Sequence, residues 1–165
     1  MSDDSLHITF ICTGNICRSP MAEKMFAHQI RERGLEHKVK VTSAGTGDWH
    51  VGSEADERAN RVLRAHGYPT THTAAQLDDD HLSADLVVAL GRNHARMLAQ
   101  MGVPPNRIRL LRSFDPRAGA HVPDVDDPYY GVHADFEDTF AVIEAALPGL
   151  HDWVDEQLAE RGLAS

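Results

Sequence analysis

The stretch His7-Ile8-Thr9-Phe10-Ile11-Cys12-Thr13-Gly14-Asn15-Ile16-Cys17-Arg18-Ser19-Pro20 decides how this chain folds. Its first part is rich in β-branched and aromatic residues, which predicts a strand over about residues 7–11. Ser19 as a cap and Pro20 as the first helical residue predict that a helix follows. The Ser19 hydroxyl has a second, competing role, which is to donate to the sulfur of Cys12. The loop between them presents backbone N–H groups at a helix N-terminus, where an anion binds favourably. The stretch therefore predicts a strand–loop–helix unit with an anion site at its centre.

The rest of the chain alternates between strand and helix patterns. Further strands are predicted at about residues 38–43, 85–90 and 107–111, and helices at about 20–33, 54–66, 93–101 and 134–159, the last with a break near Pro148-Gly149. Strands separated by helices require crossover connections, and these give a parallel sheet. We therefore expect residues 1–165 to form one α/β domain, a flavodoxin-like three-layer sandwich around a four-stranded parallel sheet.

Composition limits the classes of partner. The net charge of −9 argues against a nucleic-acid partner. The longest apolar run, residues 86–90, is too short to span a bilayer, and the polar start lacks the layout of a signal peptide. Two cysteines five positions apart make no structural disulfide framework, and the histidines show no metal-ligand spacing. We expect a cytoplasmic monomer that needs no metal or other cofactor and does not insert into membranes.

Cys12 begins the anion loop and Arg18 ends it. A phosphate ester resists attack because its oxygens are negative, and backbone N–H groups, a helix dipole and a bidentate guanidinium supply the opposing potential. The same field favours a thiolate. A bare Cys-x5-Arg spacing arises by chance, but residues 12–20 between a strand and a helix predict that Cys12 attacks a bound phosphoryl group. The phosphate-binding residues would be Thr13, Gly14, Asn15, Ile16, Cys17 and Arg18.

Cys17 has two interpretations that the sequence leaves open. It packs as a buried thiol, or it forms a reversible disulfide with Cys12 that protects the nucleophile from overoxidation.

Three segments occur in an order and at a spacing that resemble one family. They are residues 12–20, Ser43-Ala44-Gly45 with Asp48-Trp49, and Asp127-Pro128-Tyr129-Tyr130-Gly131. Over nearly its whole length the chain resembles the low molecular weight protein tyrosine phosphatases, most of all their actinobacterial, mycobacterial-type members. The resemblance implies metal-independent hydrolysis of phosphotyrosine proteins through a phosphocysteine intermediate, and a role in signalling. Some bacterial members act on host proteins although they have no signal peptide. The polar start of this chain is therefore compatible with export as a virulence effector.

An acid is needed because tyrosine phenolate is a poor leaving group at neutral pH. Asp127 matches the family's general acid, which then activates water for the second step. Its neighbour Asp126 is an alternative, and Asp124 is a weaker one. Asp115, in the other Asp-Pro pair, is interpreted as a turn residue.

Trp49, Tyr129 and Tyr130 are aromatic residues in predicted loops. They either plug the surface or wall a slot deep enough for a phenyl ring, which phosphoserine is too short to use. The resemblance favours the second interpretation, particularly for Trp49 and Tyr129. In the family the paired tyrosines are also phosphorylated, which implies a tyrosine kinase as a partner.

The resemblance further implies a hydrogen-bond network behind the loop, formed by Asn15, Ser19, Ser43 and His72. Taken alone, His72 would be interpreted as a solvated loop residue. His50, Asp48 and the run at residues 78–80 are interpreted as surface groups, the run supplying negative charge at the start of a short helix. Gly91 stands where relatives often carry an acidic residue, so this position supplies no carboxylate to support the nearby loops.

Three other functions remain as alternatives. Thioredoxin-coupled arsenate reductases need a further cysteine near the third strand, and residues 80–90 contain none. A reductase using a small thiol is compatible with the cysteine count, although the Asp127 motif favours ester hydrolysis. Protein-arginine phosphatases carry threonine where Ile16 provides an apolar wall. A silent phosphotyrosine-binding module would need neither Cys12 nor Asp127, and both are present.

Overall fold

The computed structural model describes residues 5–162. In this range one sheet of four parallel strands has the order β2-β1-β3-β4. The strands are β1 (Leu6–Cys12), β2 (Val39–Gly45), β3 (Leu86–Ala89) and β4 (Ile108–Leu110). The α-helices of the described chain are α1 (Arg18–Glu32), α2 (Glu57–Ala65), α3 (Asp79–Leu82), α4 (Arg92–Gln100) and α5 (His133–Glu160). Short 3-10 turns at Pro105–Arg107 and Leu111–Phe114 flank β4. The predicted four-stranded parallel α/β fold is confirmed.

Two cores lie on opposite faces of the sheet, because side chains alternate along each strand. Ile8 and Phe10 of β1 join the larger core, which includes buried residues of α1, α2 and α5, while Ile11 joins the smaller core with Leu98 of α4. Phe10 meets Phe26 of α1 edge-on, with ring centroids 6.1 Å apart. Fully burying a side chain of this size contributes roughly 1.5–3 kcal/mol. Helices on both faces make the three layers that the strand–helix alternation predicted.

The site is located by the strand order. β1 lies between β2 and β3, so the chain leaves β1 for one neighbour and reaches the other later. In open parallel sheets, ligands bind at the carboxyl ends of the strands where this reversal occurs. The loop after Cys12 occupies that position.

Two local predictions at helix starts have different outcomes. Ser19 does not cap α1: the helix begins at Arg18, and its N-cap residue Cys17 makes no side-chain cap bond. The Ser19 hydroxyl turns instead toward the thiol of Cys12. At α3, the acidic run lies at the start of a short helix as predicted, and Asp78 also caps that helix by accepting from the N–H of His81.

The predicted break at Pro148-Gly149 is wrong, because α5 runs on through both residues. Buried side chains on each side of them, including Leu147 and Leu150, hold the helix against the larger core. Gly149 has a different purpose: a Cβ there would overlap the carbonyl oxygen of Phe114. The glycine therefore lets α5 approach the turn that follows β4. Within residues 5–162 no helix combines the length and the apolar character needed to cross a membrane.

Gly149→Ala should lower the free energy of unfolding by about 1–3 kcal/mol, because the added methyl group forces α5 away from Phe114. In an exposed helix the same change would stabilise by about 1 kcal/mol, so the sign is diagnostic. Urea unfolding followed by circular dichroism measures it, with the exposed Glu156→Ala in the same helix as the control. A more stable Gly149→Ala chain would contradict the close approach.

Candidate active site

The loop between β1 and α1 is anchored by its carbonyl groups. The N–H of Thr46 donates to the carbonyl of Cys12, and the N–H of Gly47 donates to that of Thr13, each at 2.9 Å. Glycine at position 45 allows this close approach, because a Cβ on that residue would lie 2.6 Å from the carbonyl oxygen of Thr13. When carbonyls are held on the outer side, a loop of this kind presents its N–H groups to the concave side. The predicted anion site requires this arrangement, with the carbonyl groups of the loop held away from the cavity.

Cys12, Arg18 and Asp127 line one open cavity of about 430 Å³. Cys12 is buried at the end of β1, and the buried Arg18 starts α1. One guanidinium nitrogen of Arg18, Nη1, donates to the carbonyl of Val125 at 3.0 Å. Its Nη2 lies 3.6 Å from Oδ2 of Asp127, whose side chain is 46% exposed. The structure thus brings together the three residues that the sequence predicted to react.

The four candidate carboxylates separate in space. Asp127 borders the cavity and accepts from the N–H of Tyr129 at 3.1 Å. Asp126 does not line this cavity, but it lines a second concavity that Asp127 also borders. Asp124 accepts from the N–H of Arg92 at the start of α4. Asp115 forms the expected turn: it accepts from the N–H of Arg117, and this bond, with the guanidinium of the same residue, lowers the pKa of Asp115.

A directional chain of hydrogen bonds reaches the thiol. The side-chain amide of Asn15 donates to the hydroxyls of Ser19 (2.8 Å) and Ser43 (2.9 Å). Ser19 Oγ, which already accepts, therefore has its own proton free for Cys12 Sγ, 2.9 Å away. Ser43 in turn donates to the carboxylate of Glu23. The network that the family resemblance implied is present, with Glu23 as a member that sequence reasoning missed.

His72 belongs to the same network and is not solvated. Its side chain is buried, and Nε2 lies 2.8 Å from the backbone carbonyl of Asn15. Its Nδ1 faces Glu23 at 3.9 Å. The N–H of Ala75 donates to Oδ1 of Asn15 from the same segment. Asn15 itself has a positive φ of 58°, a conformation that asparagine tolerates better than most residues.

The cavity walls are apolar and aromatic. Ile16, Trp49, Tyr129 and Tyr130 all line it, as predicted for the last three. The rings of Tyr129 and Tyr130 meet edge-on with centroids 5.0 Å apart. Tyr130 is 93% exposed and Trp49 is 73% exposed, so these two stand at the mouth.

His50 also lines the cavity, so its interpretation as a surface group is wrong. A Cβ on Gly14 would lie 3.0 Å from the ring of His50, which places the imidazole directly against the anion loop. Its position next to Trp49 in the sequence was the available signal.

Tyr129 and Tyr130 together form what we call the tyrosine wall of the cavity. Arg58 of α2 supports this wall, and sequence reasoning missed it. Its guanidinium donates to the carbonyls of Tyr129 (2.9 Å) and Gly131 (3.0 Å). It also bonds the carboxylate of Asp56 and lies 4.5 Å from the ring centroid of Phe136. Hydrogen bonding to Arg58 lowers the pKa of Asp56. Nothing in the local sequence pattern distinguishes Arg58 from other helix-surface arginines.

His94 is buried beneath the anion loop. Its Nε2 lies 2.9 Å from Thr13 Oγ1, while Nδ1 has no hydrogen-bond partner among the described residues. Burial, with the positive charge of Arg18 as the next cause, lowers the pKa of His94 to about 4. Its place in the first turn after β3, at the carboxyl edge of the sheet, was the signal that would have found it.

The two cysteines, both free, have different surroundings. Burial, and then the nearby charge of Asp56, raise the pKa of the Cys17 thiol. Cys17 is therefore a neutral thiol at neutral pH. Among residues 5–162 no group of three or more His, Cys, Asp and Glu side chains is arranged to hold a metal ion.

Comparisons with known proteins agree with the motifs. A model of the family described as low molecular weight phosphotyrosine protein phosphatase matches residues 7–161. Low molecular weight protein-tyrosine phosphatase A of Mycobacterium tuberculosis is 72% identical over 159 residues, which cover 96% of this chain and 98% of that protein. The crystal structure of a protein tyrosine phosphatase from Entamoeba histolytica has a TM-score of 0.85 at 28% identity and covers 93% of this chain and 99% of its own. A Drosophila arginine phosphatase has a TM-score of 0.78 at 28% identity, covering 88% and 96%. The predicted resemblance is confirmed.

Iodoacetamide at pH 7 should modify Cys12 at least about 10-fold faster than Cys17, because the raised pKa keeps Cys17 protonated. Peptide mass spectrometry over time measures both rates. Cys17→Ser should react like the unaltered chain, and Cys12→Ser should react slowly. Faster labelling at Cys17 would contradict the assignment.

Stability should fall as the pH drops from about 6.5 to about 4, in part through His94. The unfolded imidazole binds a proton near pH 6.5, whereas the folded one does so only near pH 4, so the unfolded state holds more protons between these values. His94→Gln should flatten the loss by up to about 3 kcal/mol. Urea unfolding at several pH values measures this. Parallel pH curves for the two proteins would show that His94 contributes nothing.

Proposed function

This chain belongs to the low molecular weight phosphotyrosine protein phosphatase family, and on that basis we propose that it hydrolyses phosphotyrosine in proteins through a phosphocysteine intermediate. The whole chain acts as one phosphatase domain in this proposal. The observation that carries it is the meeting of Cys12, Arg18 and Asp127 at one cavity.

In the first step, the phosphoryl group binds against the loop N–H groups and the guanidinium of Arg18. The sulfur of Cys12 attacks phosphorus as a thiolate, and the bond from phosphorus to the phenolic oxygen breaks. Asp127, in its protonated form, gives its proton to that oxygen. Its position at the cavity edge, beside Tyr129 and Arg18, supports this role.

In the second step, a water molecule attacks phosphorus and the bond to sulfur breaks. Asp127, now a carboxylate, takes a proton from that water. Sulfur leaves as a thiolate, which the Ser19 hydroxyl stabilises by donating to it. Inorganic phosphate is released, and Cys12 returns to its starting state.

The walls favour an aryl phosphate. Ile16, Tyr129 and Trp49 surround the approach to Cys12 with apolar surface that fits a phenyl ring. A phosphoserine side chain is too short to bring its phosphorus past such walls to the buried sulfur. For an arginine phosphatase, Ile16 offers no acceptor for the guanidinium N–H groups.

Partners and location follow from the same proposal. The substrates are phosphotyrosine proteins, and a tyrosine kinase acts in turn on the tyrosine wall. Tyr130, with 93% of its surface exposed, is the more accessible target, and the half-buried Tyr129 is the less accessible one. We propose a monomer that acts in the cytoplasm or, after export without a signal peptide, as an effector on host proteins.

A competition assay tests the function. Matched peptides carrying phosphotyrosine, phosphoserine and phosphoarginine are mixed with the protein, phosphate release is followed for each, and arsenate reduction with a small thiol is measured in parallel. We expect release from phosphotyrosine. Preference for phosphoarginine, toward which the Drosophila similarity points, or thiol-dependent arsenate turnover would overturn the proposal. Loss of turnover in Cys12→Ser identifies the nucleophile.

Asp127→Ala should lower kcat/KM for a phosphotyrosine peptide by roughly 10²–10⁴-fold, the usual contribution of a positioned acid. The loss should be smaller for aryl phosphates whose phenols are strongly acidic, because these leave without a proton. Asp126→Ala is the matched control, since it removes the same charge one residue away and outside the cavity. If Asp126→Ala were the slower enzyme, the acid would be misassigned.

A further inference from the structure

The first helical N–H of α4 is capped from a distant part of the chain. The N-cap residue of this helix is Gly91, which has no side chain to accept a hydrogen bond. The carboxylate of Asp124 takes that place: its Oδ1 accepts from the N–H of Arg92 at 2.9 Å. A Cβ on Gly91 would lie 3.5 Å from Cγ of Asp124, so the carboxylate occupies the space beside the glycine. Negative charge is favourable at a helix N-terminus.

The segment with this cap leads directly to Asp127. Residues 122–127 form no regular element, so their position depends on bonds to other parts of the fold. Four such bonds use the backbone: Val125 donates to the carbonyl of Leu90 at 2.8 Å, and the carbonyls of Val122, Asp124 and Val125 accept from the guanidinium groups of Arg92, Arg112 and Arg18. The carboxylate of Asp124 adds a side-chain bond, to the N–H of Arg92. It lies three residues before the acid.

We propose that Asp124 is a positioning residue that holds the Asp127 carboxyl in reach of the leaving-group oxygen, an inference that rests on the proposed function. Its bond to Arg92 fixes the segment against the N-terminus of α4 and therefore against the end of β3. β3 lies next to β1, which carries Cys12. The acid and the nucleophile are therefore both positioned against the carboxyl edge of the same sheet. Without the Asp124 bond, the backbone contacts of the segment and the ion pair of Asp127 with Arg18 remain, so the Asp127 carboxyl stays at the cavity but is held less tightly.

A role of Asp124 limited to capping α4 would have different consequences from a role in positioning Asp127. A substitution at Gly91 distinguishes the two roles. Its φ of −148° is open to any residue, and a Cβ there would lie 2.9 Å from the movable Oδ1 of Asn93 and 3.3 Å from Nδ1 of the buried His94. Gly91→Ser therefore supplies a local cap. In the double variant Gly91→Ser with Asp124→Ala, the helix is capped again but the segment before Asp127 lacks the side-chain bond of Asp124.

The experiment measures kcat/KM for phosphotyrosine peptide and for a series of aryl phosphates of rising phenol acidity. The proteins are the unaltered chain, Asp124→Ala, the double variant, Asp127→Ala and the control Asp126→Ala, with thermal unfolding followed for each. We expect Asp124→Ala to lower kcat/KM about 10-fold for phosphotyrosine and less than about threefold for the most acidic phenol. The double variant should recover the unfolding temperature and keep the kinetic defect. Asp126→Ala should behave as the unaltered chain.

Two results would overturn the inference. Recovery of both stability and kcat/KM in the double variant would make Asp124 a helix cap alone, and a loss equal for all leaving groups would show that it does not act through Asp127. Failure of the proposed function is recognised separately, because then the unaltered chain does not hydrolyse phosphotyrosine or Asp127→Ala shows no dependence on the leaving group. If those two behave as proposed and Asp124→Ala matches the control, the inference about Asp124 alone is wrong.

Discussion

The hydrogen bonds of one buried asparagine hold the site together. Asn15 adopts a positive φ in the anion loop and uses every polar group of its side chain: the amide donates to the hydroxyls of Ser19 and Ser43, and the oxygen accepts from Ala75. Its backbone carbonyl contacts His72. Because a buried polar group left without a partner is costly, these bonds fix both the shape of the loop and the direction in which Ser19 presents its proton to Cys12.

The other half of the site has no such internal framework. The chain between β4 and α5 runs mostly without regular structure, and guanidinium groups hold its carbonyls from several sides. Arg18 donates to Val125, Arg92 to Val122, Arg112 to Asp124, and Arg58 to Tyr129 and Gly131. A planar guanidinium has five N–H donors and stays charged, so it can bond a carbonyl and a carboxylate together. In this way arginine side chains hold in place the segment that carries Asp127, the proposed general acid.

Prediction from sequence succeeded where the deciding contacts are local. The strand before Cys12 and the alternation of strands with helices depend on neighbouring residues, and the structure has them within a few positions of the predicted bounds. The failures involve packing over long distances. Pro148-Gly149 looked like a break because the carbonyl of Phe114, which needs the glycine, lies far away in sequence. For Ser19 the sequence left two roles open, and in the closed loop its hydroxyl meets the Cys12 thiol and does not cap the helix.

The sequence by itself determined the family, the parallel sheet and the loop from Cys12 to Arg18, because nine adjacent residues carry the loop and its helix start. The motif had already favoured Asp127, and the tertiary structure placed Asp127, and not Asp115, Asp124 or Asp126, at the cavity. It also placed His50 in the wall, Arg58 behind the tyrosines and His94 under the loop. The reason is that spacing along an irregular chain determines neither the direction of a side chain nor its distance from another strand. Both are determined by the hydrogen bonds that the irregular backbone makes to other elements.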